Sequence, residues 1–495
     1  MIKVLDGDEL KKLDQQTVQQ ESISSIDLME RAADAFVRWF VQRFNATHKV
    51  GIICGTGNNG GDGLAIARLL KNWNYPVKVW VISAEKESDD FLKNKERLAL
   101  EINEIGSSTE FSVFDDRHIL IDAIFGIGLS RQIEGLHALV IDAINKTNSI
   151  RIAIDVPSGL HLERHSYGCV IRAHYTLTFQ VPKLAFFFPE NFRFVGDWHL
   201  LDIGLSKKAL KESQASAYFL TRAGIKEKLK IRSKFDHKGK NGKALLVAGS
   251  YGKMGACVLA ARAALRSGVG LLTVHVPSEG YSIIQTAVPE AMASIDSNAY
   301  SFSDPLDVVG VSGIGVGSGI GQSKETVNAF SKLLNRSKPM VIDADALTIM
   351  GVYQELLLTV TPGSILTPHP KEFERIVDTW ANDFERLEKQ RKLSIDLKSV
   401  VILKGAYTSV TSPEGLVYFN STGNPGMATG GTGDVLTGVL TALLAQGYSA
   451  IDAALIGVYV HGLAGDIGAR EKGMDSLIAS DLVDCLSAAF LKVRS

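Results

Sequence analysis

The pattern that most constrains this chain is a short, continuous apolar run followed by a glycine turn or an acidic residue and then a helical stretch. Val50-Gly51-Ile52-Ile53-Cys54 leads into Gly55-Thr56-Gly57-Asn58-Asn59-Gly60 and a helix through Leu64 to Trp73. Runs of this kind that do not alternate with polar residues are strands buried on both faces. Helices between them set such strands parallel in a doubly wound sheet. Val77 to Ile82, Ile119 to Ile121, Ile150 to Ile154, Tyr175 to Val181 and Val195 to Leu201 continue the series. Met1 to Phe44 reads as helical, with Leu28, Met29, Ala32, Ala33, Phe36 and Val37 at helical spacing. A second series starts at Ala244 to Ala248, with a helix over Ala256 to Ser267. Its further strands are Gly270 to Val276, Val308 to Ile314, Pro339 to Ile342, Ser364 to Leu366 and Val400 to Leu403. At 495 residues the chain exceeds one ordinary core. The polar stretch SKKALKESQASA places the boundary near residues 206–222. Two α/β domains are expected, residues 1–215 and 222–495.

A net charge of −1 gives no overall basic field, so neither nucleic acid nor a membrane is an expected partner. The four cysteines have no CxxC spacing, which argues against a disulfide framework or a zinc site and fits a reducing cytoplasm. The polar N-terminus is no signal peptide. The longest apolar region, Val435 to Gly465, is interrupted by Gln446 and Asp452 and reads as a buried helical hairpin. A homo-oligomer is expected.

In the first half Gly55 to Gly60 matches GxGxxG between a strand and a helix. Asn58, Asn59 and Asp62 crowd that turn with polarity that suits a sugar, an amide or a cation better than bare pyrophosphate. Asp122 and Asp155 each close an apolar run, and open parallel sheets bind ligands beyond the carboxyl ends of their strands. Asn59, Asp122 and Ser158 supply oxygen ligands for a hard cation, which leaves Asp155 as the acid/base.

In the second half Gly430-Gly431-Thr432-Gly433-Asp434 opens a long apolar helix from Val435 to Leu444. Such a turn aims free N–H groups at an anion. A carboxylate there makes sense if Asp434 takes a proton from a hydroxyl that attacks a phosphoryl group. The run Gly313-Ile314-Gly315-Val316-Gly317-Ser318-Gly319-Ile320-Gly321 reads as a ligand-hugging loop. His369 is pinned between two prolines. Lys404 to Thr408 offer a cation and a hydroxyl to phosphate.

GTGNNGGDGLAIARLL, IDAIFGIGL and IAIDVPSGL resemble the signature blocks of the NAD(P)HX epimerases, over roughly Leu10 to Leu205. The resemblance implies a Rossmann-like domain in which Asn58, Asn59, Gly60, Gly61 and Asp62 hold the hydrated dinucleotide together with Gly126, Ile127, Gly128, Leu129, Ser130, Arg131 and Gln132. It implies further that Asn59, Asp122 and Ser158 hold potassium and that Asp155 contacts the substrate. DADAL, TPHPKEFERI, LKGAYT and GMATGGTGDVLTG are similar to the ADP/ATP-dependent NAD(P)HX dehydratases of the ribokinase-like superfamily, over roughly Ile225 to Ser495. That resemblance implies NADHX and NADPHX as substrates and Mg²⁺ with ADP or ATP. It implies substrate contacts from Ala256, Gly319, His369 and Asp434, and adenine-nucleotide contacts from Lys404, Gly405, Ala406, Tyr407, Thr408 and Gly433. Tyr251 to Ala256 and Ser318 to Ile320 depart from the usual family residues. The residues alone leave a rival open: a small-alcohol or sugar kinase behind a non-catalytic N-terminal binding module.

Overall fold

The computed structural model describes residues 1–106, 118–129 and 131–495. They form two compact units. One comprises Lys3–Ala215 with Asn382–Phe384, the other Met1–Ile2, Ser216–Ala381 and Glu385–Ser495. The first strand of the chain, β1 (Ile2–Val4), is an edge strand of the second unit's sheet.

The first unit holds β2 (Lys49–Cys54), β3 (Val77–Ile82), β4 (Ile102–Ile105), β5 (His118–Ala123), β6 (Arg151–Ile154), β7 (Tyr175–Phe179) and β8 (Asp197–Leu201). They run parallel in the order β4-β3-β2-β5-β6-β7-β8. From β2 the chain moves outward to β3 and β4, then returns to β5 on the other side of β2. The loops after β2 and β5 therefore part, and a crevice opens at the carboxyl ends of the strands, the switch point of a Rossmann-like sheet. The stretch Met1 to Phe44, expected to be helical, holds a strand and two helices, Gly7–Glu21 and Ser25–Val41. Ser22 turns left-handed at φ 52°, and Ser24 and Asp27 form a capping box that starts the second helix. That helix buries Leu28, Met29, Ala32, Ala33, Phe36 and Val37. The helix Asn58–Asn72 presses onto the sheet through Gly63, where a Cβ would lie 2.5 Å from the Ala123 Cβ.

The second unit adds β9 (Ala217–Phe219), β10 (Lys243–Val247), β11 (Leu271–Val276), β12 (Met292–Ile295), β13 (Gly313–Val316), β14 (Met340–Ile342), β15 (Ile365–Leu366), β16 (Val400–Leu403), β17 (Ser409–Thr411) and β18 (Val417–Phe419). The order is β1-β9-β18-β17-β16-β15-β14-β13-β10-β11-β12. Strands β10 to β16 pair parallel; β17 runs antiparallel to both β16 and β18. The switch point lies at β10, between β11 and β13, so the loops after β10 and β13 flank one crevice.

Helix Thr432–Ala445 is seated by glycines. A Cβ at Gly438 would lie 2.0 Å from the Ala260 carbonyl oxygen on helix Met254–Arg266. At Gly313 it would meet the Ala445 nitrogen at 2.5 Å, and at Gly315 the Thr441 hydroxyl at 2.1 Å. Gly313 and Gly315 thus let a helix lie flat on β13; they do not hug a ligand, contrary to the expectation from the glycine run. Val308 to Ser312 lie outside β13. Among the described residues one helix, Ala450–Lys472, is long and apolar enough to cross a membrane. It is packed in the core with helices Thr432–Ala445 and Ala479–Arg494, as the helical-hairpin reading expects.

Candidate active sites

At the switch point of the first unit lies a cavity of about 1190 Å³. The turn after β2 contributes Asn58 and Asn59, with Asp62 one helical turn further on. The segment after β5 contributes Gly126, Ile127, Gly128, Leu129, Arg131 and Gln132, and the end of β6 contributes Asp155. The structure brings these expected residues together. Ser130 lies outside the described residues. Gly60 and Gly61 are buried and do not line the cavity; a Cβ at Gly60 would lie 1.9 Å from the Gly55 carbonyl oxygen, so this glycine closes the turn.

Asp122 and Ser158 sit buried next to that crevice. Asp122 Oδ2 accepts the Ser158 N–H at 2.8 Å, and Oδ1 accepts the Ser158 hydroxyl at 2.5 Å and the Ile124 N–H at 3.2 Å. Burial pushes the Asp122 carboxyl up to about 6 against these hydrogen bonds. The buried Asn59 Nδ2 has no hydrogen-bond partner. Asn59 Oδ1 and the segment Phe125–Gly126 join the group: a Cβ at Gly126 would lie 3.3 Å from that oxygen, and the Phe125 N–H donates to the Ser158 hydroxyl at 2.8 Å.

Asp155 turns left-handed at φ 58°. Its Oδ1 accepts three donors: the Phe179 N–H at 2.9 Å, the Thr178 hydroxyl at 3.0 Å and Lys183 Nζ at 2.5 Å. The Lys183 side chain is 1% exposed. Asp14, Asp62, Asp90 and Glu134 also line the cavity. Burial, and then the Asp155 charge, push Asp14 up to about 6; burial followed by Asp155, Asp14 and Asp90 raises Asp62 well above the usual range.

In the second unit Gly431, at φ 93°, turns the chain into helix Thr432–Ala445 and puts Asp434 in its first turn. Burial pushes Asp434 up to about 6, and the charges of Asp343 and Asp345 add to this. Lys404 and the fully buried Ser318 hydroxyl pull the other way. Asp343 ends β14 and is 1% exposed. Lys404 Nζ donates to its Oδ1 at 2.9 Å and the Thr437 hydroxyl to its Oδ2 at 2.7 Å. Burial alone would raise Asp343, but Lys404 and the hydrogen bonds hold it below the usual carboxylate range. Gly433 lies over this pair; a Cβ there would be 3.5 Å from Lys404 Nζ. The Lys404 charge is thus shared with protein carboxylates, Glu372 included at 3.9 Å, and is not free for phosphate alone.

His369 caps helix Pro370–Val377 through Nδ1, and its N–H donates to Glu372 Oε2 at 2.8 Å. Burial pushes Glu372 up to about 7. Ala256 and Gly319 sit side by side, with a Cβ at Gly319 placed 3.3 Å from that of Ala256. Gly405 and Thr408 close a local turn around Ala406 and Tyr407, the Gly405 N–H donating to the Thr408 hydroxyl at 3.3 Å. Elsewhere in this unit a cavity of about 510 Å³ carries Lys230 and Arg232, which are tied to carbonyls at helix C-termini.

Sequence reasoning missed Lys183, Asp14, Asp343, Glu372 and His461 as site residues. Lys183 has one signal, a lone cation between Pro182 and the apolar run Leu184 to Phe188. His461 has none, being one polar residue within a long apolar helix. Burial pushes it down to about 4, so the ring is neutral and Nε2–H donates to the Thr432 carbonyl at 2.9 Å, fixing the glycine turn.

A family model described as NAD(P)H-hydrate dehydratase matches residues 244–487, and one described as YjeF-related protein N-terminus matches residues 25–185. The bifunctional NAD(P)H-hydrate repair enzyme Nnr of Moorella thermoacetica is 36% identical over 505 residues, covering 97% of this chain and 94% of its own length. The Thermofilum pendens enzyme of that name is 34% identical, covering 100% of this chain and 97% of its own. Among solved structures, a ribokinase-like superfamily protein of Enterococcus faecalis covers 57% of this chain and 98% of its own at 24% identity, with a TM-score of 0.50, and shares the fold. An ADP/ATP-dependent NAD(P)H-hydrate dehydratase of Bacillus subtilis, co-crystallized with ATP/Mg²⁺, is 29% identical over 56% of this chain and 98% of its own, with a TM-score of 0.48.

Proposed function

This chain belongs to the bifunctional NAD(P)H-hydrate repair enzymes, and on that premise we propose how its two sites divide the work. The first unit interconverts the (R) and (S) epimers of hydrated NADH and NADPH at C6 of the nicotinamide ring. The second dehydrates the (S) epimer to the dihydronicotinamide, using ADP, which gives AMP and phosphate, or ATP.

One observation supports this reading of the second unit above the rest: an acid pushed up to about 6 stands in the first turn of a helix that begins at a glycine turn. Hydroxide is a poor leaving group. Asp434 takes the C6 hydroxyl proton as that oxygen attacks the terminal phosphorus, and a base with a pKa near neutrality suits that transfer. Backbone N–H groups of Gly431 to Gly433 stabilise the phosphoryl oxygens. The phosphate ester then breaks its C–O bond, the ring nitrogen supplying the electron pair, and phosphate leaves; loss of a C5 proton turns the resulting C6=N bond into the C5=C6 double bond of the dihydronicotinamide and returns the pair to nitrogen. Asp343 holds Lys404 beside this point, and Thr437 holds Asp343. Three carboxyls, Asp343, Glu372 and Asp434, act on that lysine, an oxygen-rich surplus of negative charge that suits Mg²⁺. Mg²⁺ brought with the nucleotide would supply charge neutralisation on the phosphoryl oxygens.

In the first unit Asp155 lines the cavity and serves as acid/base at C6. Asn59, Asp122 and Ser158 would hold potassium. The buried Asp122 carboxyl has hydrogen bonds but, among the described residues, no cationic side chain acting on it, and an all-oxygen set fits a hard monovalent ion. The ion would supply fixed positive charge next to the cavity.

The kinase alternative shares the base and the anion cradle but ends at a stable phosphorylated product. Mixing the protein with hydrated NADH and ADP, then ATP, separates the two. Recovery of reduced-nicotinamide absorbance with one phosphate released per molecule is expected. Consumption of nucleotide with a lasting phosphoester and no absorbance would overturn the proposal.

A further inference from the structure

The epimerase reading, on which this inference rests, gives Asp62 only a substrate contact and gives no role to Lys183, the buried cation against Asp155. Lys183 Nζ donates to Asp155 Oδ1 at 2.5 Å, to the Thr178 hydroxyl at 2.8 Å and to the Phe179 carbonyl at 3.1 Å. All three ammonium protons are engaged, and the side chain is 1% exposed, so the cation cannot turn toward a ligand. It ties down one carboxylate oxygen of Asp155. The other, Oδ2, makes no hydrogen bond among the described residues, and Asp155 lines the cavity.

Asp62 lines the same cavity from helix Asn58–Asn72 and lies in the opposite electrostatic situation. Among the described residues no cation acts on it; burial and the charges of Asp155, Asp14 and Asp90 all favour its protonated form. Asp14 is an intermediate case, since Lys183 reaches it as well. Burial and neighbouring carboxylates disfavour the charged forms of Asp62 and Asp14, while the buried Lys183 is placed against Asp155 Oδ1. Among the described residues, Lys11, Asp90, Arg131, Glu134 and His137 are the other titratable groups facing the cavity.

We propose that Asp62 donates the proton that lets the C6 hydroxyl leave as water, while Asp155, paired with Lys183, takes the proton from the water that returns. In the first step the C6–O bond breaks and its electron pair stays on oxygen, which collects the Asp62 proton. The ring nitrogen lone pair forms a C6=N bond, and Asp62 is left as a carboxylate. In the second step water adds to the opposite face of C6 and the C6=N pair returns to nitrogen. The surplus proton passes to Asp155. Transfer of that proton back to Asp62 closes the cycle, and no oxidant or reductant is consumed. Asp62 is a catalytic residue in this scheme. Lys183 is a positioning residue that acts through Asp155.

The test is the pH profile of epimer exchange, measured on separated epimers of hydrated NADH with the full chain. Dehydration by the second unit serves as the check on folding. Lys183→Met moves the acid limb up by about one pH unit or more, with KM for the hydrate changed less than about twofold. Asp62→Asn lowers kcat by about a hundredfold or more and removes the alkaline limb. A Lys183→Met profile scaled down equally at every pH would overturn the positioning role, and an Asp62→Asn enzyme keeping more than about a tenth of kcat would overturn the catalytic one. Thr178→Val keeps the lysine charge and removes one donor to Asp155 Oδ1. It gives a smaller shift in the same direction, and an unmoved limb counts against the proposal even if Lys183→Met fails to fold. Wild-type chain that exchanges no epimers at all would refute the underlying epimerase reading instead.

Discussion

Asp434→Asn is expected to destroy dehydration and at the same time stabilise the second unit. An acid whose ordinary value is 3.8 and which is pushed to about 6 holds its charge at the expense of folding. At about 1.4 kcal/mol per pH unit the difference is about 3 kcal/mol, an upper bound. Asp434 is only partly buried in the first turn of its helix, so solvent and the helix dipole return some of this. About 1–2 kcal/mol remains. The folded-state value lies above the unfolded one, so the cost is fully present above about pH 6 and fades to nothing as pH falls toward the ordinary value. Asparagine has no charge to hold. Calorimetry at pH 8 should show the unfolding transition of the second unit raised by a few degrees in Asp434→Asn, at about 2–4 °C per kcal/mol. Near pH 4 the two proteins should unfold together. Dehydration should fall by about a hundredfold or more, the usual loss for a removed general base. An asparagine variant that is less stable at pH 8, or equally shifted at pH 8 and pH 4, would refute this account of why Asp434 is poised.

Three further outcomes follow from the same structure. The kcat of dehydration in the unmutated chain should fall as pH drops through about 6, because a protonated Asp434 cannot accept the hydroxyl proton, and a profile flat down to pH 4.5 would contradict that role. Gly438→Ala places a methyl group 2.0 Å from the Ala260 carbonyl oxygen, backbone against side chain, and should destabilise the second unit by about 2–3 kcal/mol in denaturant titration while epimer exchange is untouched. Exchanging potassium for a bulky organic cation should slow epimer exchange and leave nucleotide-dependent dehydration unchanged, and Asn59→Ala should blunt the response.

Much of the fold was legible because both sheets are made of short, fully buried apolar runs. Val77 to Ile82 and Val400 to Leu403 are strands over the residues expected. The strands left unread were Ile2–Val4, Ile102–Ile105, Met292–Ile295, Ala217–Phe219, Ser409–Thr411 and Val417–Phe419. They are short, and several are polar or exposed, so local composition says little and pairing with neighbours decides. The break between the first two helices was missed because the apolar spacing of residues 28–37 masked the Ser24–Asp27 cap. In the sites, glycine turns and strand-end acids announced themselves. Lys183 did not, because a lysine reads as solvent-facing until the fold supplies Asp155 and Thr178 as partners. The glycine run at 313 to 321 was half misread: a small residue under a helix and a small residue beside a ligand look the same in sequence.

The proposed function assigns its two reactions to two separate acids, Asp155 and Asp434. The most direct test gives each purified epimer of hydrated NADH, with ADP or ATP, to Asp155→Asn and to Asp434→Asn and follows both epimers by chromatography. Asp155→Asn should dehydrate the (S) epimer and leave the (R) epimer standing, while Asp434→Asn should interconvert the two and dehydrate neither. Loss of both reactions from either single substitution would contradict the assignment.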